Sequence, residues 1–407
     1  MTDDIVKQDI CIIGAGPSGA TTSLFLSKLQ VKHMIIDAGT FPRDKVCGDA
    51  LDLKVMRVLN QLDSTLVERE VLPNDQFVKS WGAKIISGFG KTNDVLIKDR
   101  SLPYPFFFIA KRGYFDNFLV EKIDSKFADF RQGTKVTNIK RENGIWHIST
   151  TSNGQQFTIH SKFIIGADGD HSSVLRSLGK RKIDRHHYAG ALRQYWKGVS
   201  DINSDNMMEI YLPKSLPLAY LWIFPLPNGE ANVGCGLASN ILSKKSIDLK
   251  KLFNQLITED PAIAHRFKNA IPLETPVGWG LPLASERREA CGDGYLLVGD
   301  AAGLVCPTTG EGVGPGMMSG YIAAHFIKRA IDKGSFGKEM FTNYNREVIK
   351  RLENDILKYN FIRKLSPLIY NYLIRLLSSI KISDNYVNKK MKDWIHTARE
   401  KKIDIEY

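Results

Sequence analysis

The sequence has no uninterrupted apolar run long enough to span a bilayer, and no basic leader with an apolar stretch and small-residue cleavage site precedes its first strand. Those absences lead to the expectation of a cytoplasmic chain that does not cross a membrane. Cysteine is scarce: Cys11, Cys47, Cys235, Cys291 and Cys306 are odd in number and widely spaced, which excludes a disulfide framework and points to a reducing compartment. Zinc-finger spacing, an aromatic RNA-binding signature and a basic-zipper pattern are all missing, so neither a metal site nor a nucleic-acid partner is expected. Acid is the minority charge. With 56 Lys and Arg against 44 Asp and Glu, the net charge of +12 favours an anionic cofactor, an anionic substrate or an anionic membrane surface.

What is present begins with Ile10-Cys11-Ile12-Ile13, a short apolar run that stops at Gly14-Ala15-Gly16-Pro17-Ser18-Gly19. The pattern predicts a helix over residues 20–29 and a second buried run, Met34-Ile35-Ile36, closing on Asp37. Strand, glycine turn, helix, strand and acidic residue in this order describe a dinucleotide fold. Gly14 allows the tight turn, Gly16 the approach of a pyrophosphate, and Gly19 close helix–strand packing, while Asp37 would hold the adenosine ribose hydroxyls. No second GxGxxG follows, so no stably bound nicotinamide is expected.

Further along lies Phe41-Pro42-Arg43-Asp44-Lys45-Val46-Cys47-Gly48-Asp49-Ala50, where loops line the ligand crevice of open α/β sheets. A helix is expected over residues 53–62, loose strand patterning over 76–100, and a helix entered through Arg112 with Phe115 and Leu119 in the core. Three short strands follow, turning at Asn143-Gly144 and Asn153-Gly154. They lead into Gly166-Ala167-Asp168-Gly169. Residues 188–237 are β-rich and aromatic, including Tyr195, Tyr220, Trp222, Phe224 and Pro225; residues 249–268 suggest a helix. Another strand runs into Gly299-Asp300-Ala301-Ala302-Gly303, with Pro307, Gly310, Gly312 and Val313 ahead of a helix ending near Asp332.

The Pro-Arg-x-Lys-x-Cys-Gly segment resembles the loop of the geranylgeranyl reductase family, a branch of the para-hydroxybenzoate hydroxylase superfamily of FAD-dependent oxidoreductases. Flavin-dependent halogenases are similar through Phe-Pro-Arg, but have Gly-Glu-Ser where this chain has Cys47-Gly48-Asp49. The Asp168-Gly169 and Gly299-Asp300 segments are similar to two further superfamily fingerprints. In the first, Arg176 falls one residue late if Ser172 is the motif serine. Pro217-x-x-Tyr220-x-Trp222-x-Phe224-Pro225 resembles the reductase cavity motif.

The resemblance implies an α/β fold: a Rossmann-like FAD-binding domain (residues 1–75, 101–180 and 281–335), an inserted β-rich substrate domain (76–100 and 181–280) and a helical C-terminal extension (336–407). It implies FAD contacts at Gly14 to Gly19, Asp37, Ala38, Arg43, Cys47 to Ala50, Arg112, Val136, Asp168, Gly169, Gly299, Asp300, Pro307, Gly310, Gly312 and Val313. Tyr195, Tyr220, Trp222, Phe224 and Pro225 would form a wall for an apolar substrate, with Cys47 a candidate proton donor. The implied reaction is reduction of carbon–carbon double bonds in a geranylgeranyl-type lipid or quinone side chain, with electrons from transiently docked NAD(P)H or from a reduced flavodoxin or ferredoxin. A flavin monooxygenase and a non-catalytic flavin or lipid carrier fit the same residues. In the extension, Ile356, Tyr359, Ile362, Leu365, Ile369, Leu373, Leu376 and Ile380 form an apolar stripe among cations such as Arg363, Lys364 and Lys381. This stripe either docks on the inner face of a membrane or packs on the flavin domain.

Overall fold

The computed structural model describes residues 4–214, 216, 219–377 and 384–407, so Pro217, Ile380 and Lys381 lie outside the described residues. Its first sheet has eight strands. Four parallel pairings set its register: Ile13 lies opposite both Ile36 and Gly166, Gly166 opposite Leu297, and Ile36 opposite Arg131. Because strands Asp4–Ile13, His33–Ile36, Gln155–Gly166 and Tyr295–Leu297 end level, the residues that follow them emerge at one edge. Gly14, Asp37, Asp168 and Asp300, far apart in sequence, therefore share one rim.

Glycine permits the helices to close on this sheet. At Gly14, with φ +102°, an added Cβ would sit 2.4 Å from the Ala167 carbonyl oxygen, and at Gly320 it would sit 2.4 Å from the Ser18 carbonyl oxygen. Helix Pro17–Lys28 can thus pack directly on helix Val313–Asp332. The first helix starts three residues before the expected Ala20, because proline at the first helical position needs no N–H partner and already has a helical φ.

The hairpin expectations hold in detail. Asn143 and Gly144 have φ of 49° and 81°, Asn153 and Gly154 of 49° and 79°, the paired positive values of a tight two-residue turn. The helix expected over 249–268 is shorter. It ends at Glu259, since Pro261 disfavours helical backbone at Asp260, and a short turn Ala264–Phe267 takes its place.

A second eight-stranded sheet joins Gly82–Ser87 and Thr92–Leu96 to strands from residues 188–282. A small third sheet of Ala50–Leu51, Phe107–Ile109 and Val78–Ser80 bridges towards the first. The extension is helical, with Glu353–Ile362, Pro367–Leu377 and Asp384–Glu400. Among the described residues no helix is long and apolar enough to cross a membrane.

Candidate functional site: a cavity between two sheets

A cavity of about 1120 Å³ opens between the first sheet's rim and the second sheet. That exceeds the roughly 300–1,000 Å³ of a single small-ligand pocket, leaving room for a cofactor and part of a substrate. Two helix starts face it, at Gly16 and Gly312, and neither has a side-chain cap. Unpaired amides at both positions favour a bound anion.

Of the sequence-predicted cofactor residues, Gly14, Gly16, Pro17, Ser18, Asp37, Ala38, Arg43, Cys47, Gly48, Ala50, Arg112 and Val136 line this cavity. So do Asp168, Gly169, Gly299, Asp300, Pro307, Gly310, Gly312 and Val313, and so do Tyr220, Trp222 and Phe224 of the apolar wall. Five do not reach it. Ala15 is buried beneath the turn, where its N–H donates to Asp37 Oδ2 at 2.7 Å. Gly19 serves packing, since an added Cβ would lie 1.9 Å from the Gly14 carbonyl oxygen. Pro225 is buried at the strand end.

Asp49 and Tyr195 do not line the cavity and bond each other: the Tyr195 hydroxyl donates to Asp49 Oδ2 at 2.8 Å. Asp49 also accepts from Asn232 Nδ2 at 2.7 Å and from the Arg112 N–H at 3.2 Å. Burial raises its pKa to about 6, against the lowering pull of these hydrogen bonds and of Arg193 and Arg112. Tyr195 therefore ties the Cys47 loop to the second sheet, packed beside Trp222 and Phe224 but not lining the cavity. Arg193, fully buried, adds a second tie through Asp44 at 2.7 Å and Glu274 at 2.8 Å.

One group of charges in the cavity lies at the Gly299-Asp300 turn. The Asp300 carboxylate makes no hydrogen bond among the described residues, and burial raises its pKa while Lys45 and Arg112 oppose the rise. Lys45 Nζ stands 3.5 Å from the Trp279 ring centre. Burial, then repulsion from Arg112, lowers its pKa to about 8. Arg112 is gripped by Asp116 through two bonds of 2.6 and 2.8 Å and faces Cys47. Asp37 Oδ1 accepts from the Gly39 N–H at 2.8 Å, and Arg43 reaches Oδ2 at 3.4 Å.

These observations fit FAD. Uncapped helix starts suit its pyrophosphate, Asp37 sits where an adenosine ribose would end, and Asp300 offers an unpaired acceptor to a polyhydroxyl chain. Several lining residues carry no motif signal: Lys45 stands inside the loop motif, but Trp279, and Tyr359, Ile362, Tyr370 and Ile374 of the extension, come from regions whose pattern shows only amphipathic elements. The expected stripe accordingly splits: Tyr359 and Ile362 face the cavity, while Ile369 and Leu376 are exposed, as are Leu357, Phe361, Leu368 and Tyr372 outside the stripe, Leu368 at 83%.

Comparison with known proteins agrees with this geometry. The family described as "FAD binding domain" matches residues 7–226, and that described as "Geranylgeranyl reductase catalytic domain" matches residues 191–277. The chain is 26% identical to a digeranylgeranylglycerophospholipid reductase of Methanococcus vannielii, covering 88% of each chain. It is 26% identical to the protein of the same name from Picrophilus torridus, covering 95% of each. Among solved structures, a geranylgeranyl bacteriochlorophyll reductase-like protein of Thermoplasma acidophilum superposes with a TM-score of 0.79 at 22% identity, covering 97% of this chain and 96% of the other. A flavin-dependent halogenase superposes with a TM-score of 0.72 at 20% identity, covering 97% and 71%, so at this level the likeness speaks for the fold alone.

Proposed function

The chain belongs to the FAD-binding domain family, and from that premise we propose that it is a geranylgeranyl reductase-like oxidoreductase that saturates double bonds of a prenyl lipid. The observation that carries this reading is the joint cavity: a rim suited to FAD is continuous with a wall of Tyr220, Trp222 and Phe224. Such a wall offers area without hydrogen-bond demand, which suits a polyisoprenoid chain.

We assign the first sheet to the cofactor and the second to the substrate. When bound and reduced, FAD supplies the hydride for one alkene carbon. The chain's own residues do the rest. Asp300 would accept from ribityl hydroxyls, and the Gly312 helix start would favour negative charge near the reduced ring. Trp222, buried to 5% exposure, gives the isoprenoid a fixed apolar surface. We take transiently docked NAD(P)H as the electron source, since the chain has no second GxGxxG to hold a nicotinamide stably.

The same reading extends to a membrane surface. Residues 356–377 hold Lys358, Arg363, Lys364 and Arg375 and no acidic residue, and the helices they form present the exposed Leu357, Phe361, Leu368 and Tyr372. Their inner faces line the cavity, so an apolar outer face on an anionic leaflet would bring the lipid to its entrance.

The test of the central reading is the purified protein itself. It should be yellow with one non-covalent FAD per chain, bleach on addition of NAD(P)H or dithionite without oxygen, and regain colour when a geranylgeranyl lipid is added. Failure of the lipid to reoxidise the reduced protein would contradict the reading.

A further inference from the structure

A carboxyl pair lies beside the aromatic wall, and no motif singles it out. Glu311 and Asp52 both line the cavity, and Lys54 Nζ stands 2.9 Å from Glu311 Oε2 and 2.9 Å from Asp52 Oδ2. Asp52 caps helix Leu53–Leu62, its Oδ1 accepting from the N–H groups of Lys54 at 2.9 Å and Val55 at 3.3 Å. Two helix amides and an ammonium hold the negative charge on Asp52.

Glu311 is differently placed. Its Oε1 is buried with no hydrogen-bond partner among the described residues, although one lysine serves both carboxyls. Gly314 shows where that oxygen points: a Cβ added there would lie 2.3 Å from Glu311 Oε1 and 2.8 Å from Asp52 Oδ1. The two oxygens converge on one point, where two ionised carboxylates would repel but a protonated Glu311 would donate to Asp52. The other approach to this loop is from helix Glu353–Ile362, whose Asp355 accepts from Thr308 Oγ1 at 3.3 Å. Tyr220, at the near end of the wall, donates to the Thr309 carbonyl at 3.4 Å, two residues from Glu311.

We propose that Glu311 is the acid of the reaction, holding one proton shared with Asp52 and delivering it to the alkene carbon that does not receive hydride. The proposal rests on the prenyl-reductase reading. The balance is complete: the alkene π bond breaks, one new C–H bond takes its electron pair from reduced flavin, and the second C–H bond forms with the Glu311 proton. Glu311 is left as a carboxylate, held by Lys54, and regains a proton from solvent. Burial first, then the Asp52 charge, raises the Glu311 pKa well above the carboxylate range, which keeps it protonated at neutral pH.

The test uses full-length protein in three forms, wild type, Glu311→Gln and Cys47→Ala. Difference infrared spectra between neutral and alkaline pH, on protein without substrate, should show a protonated-carboxyl C=O band in wild type and Cys47→Ala that is missing in Glu311→Gln. Glu311→Gln, keeping its flavin and the Lys54 contact, should reoxidise with the lipid at least about 100-fold more slowly, the scale of a lost general acid. Wild-type rates should fall towards alkaline pH, and the variant's should not. Absence of the band, or an unchanged rate and pH profile in Glu311→Gln, overturns the proposal. A wild type that reduces no prenyl lipid overturns the underlying reading and with it the donor role, and differs from failure of the pair alone because it appears without any substitution.

Discussion

The indole N–H of Trp222 donates to Asn232 Oδ1 at 2.8 Å, and the Asn232 amide in turn donates to the Cys47 carbonyl and to Asp49 Oδ2, each at 2.7 Å. One fully buried side chain thus fixes both the apolar wall and the loop that faces the cofactor rim. Asn232→Ala should leave buried partners unsatisfied and destabilise the protein by at least about 1–3 kcal/mol. The check is the urea midpoint, read with an unchanged slope.

Removing the unpaired rim carboxylate should cost the cofactor. Each hydrogen bond to a charged acceptor contributes about 1.5–3 kcal/mol, so Asp300→Ala should bind FAD at least about tenfold more weakly. Fluorescence titration of apo-protein with FAD measures this, and wild-type affinity would remove Asp300 from the cofactor site.

The wall residues divide by what they touch. Tyr220→Ala should spare FAD and weaken the lipid by about 2–4 kcal/mol in apparent binding, the scale of a truncated aromatic contact. Tyr195→Phe, which loses only the bond to Asp49, should lower stability and leave the lipid KM unchanged. A raised KM in Tyr195→Phe would return that residue to the substrate wall.

Acid should destabilise the fold through His33. Its Nδ1–H donates to the Val31 carbonyl at 2.9 Å and its Nε2 meets Ser23 Oγ at 2.7 Å, and burial lowers its pKa from 6.5 to about 4. The unfolded chain takes up a proton below about 6.5 that the folded chain refuses until about 4, so this contribution is present at neutral pH and lost as pH falls between those values. It amounts to about 3 kcal/mol, and His33→Gln should flatten that part of the stability profile measured by urea unfolding.

Phe361→Ser and Leu368→Ser change exposed side chains only, so both should remain folded and sediment less with phosphatidylglycerol vesicles than wild type. Arg363→Glu combined with Lys364→Glu should show the same loss at low salt, since each basic residue near an anionic surface adds about 1 kcal/mol. Undiminished sedimentation in all these variants would leave the extension's outer face without a lipid role.

The strand ends were readable because each carries a local reason for its residues: a glycine where the chain turns at positive φ or approaches another backbone, and an acid after a buried run. Gly14, Asp37, Asp168 and Asp300 announce themselves this way, and strand register alone brings them together. Asn232 and Glu311 do not, because their roles depend on partners 185 and 257 residues away in sequence, and no spacing rule reaches so far. Tyr195 shows the opposite failure: the aromatic, β-rich run of residues 188–237 suggests a wall residue, but its hydroxyl is taken by the buried Asp49, a partner 146 residues away in sequence. In the extension the apolar stripe was visible, yet helix periodicity cannot say which side faces a cavity and which faces solvent.

The measurement that tests the account most directly is the mass of the product formed when reduced, FAD-loaded protein meets a geranylgeranyl lipid in air. The account predicts a gain of two hydrogens per reacted double bond, with carbon-bound deuterium at the protonated carbon when the reaction is run in heavy water. A gain of one oxygen atom would contradict it and make the protein a monooxygenase.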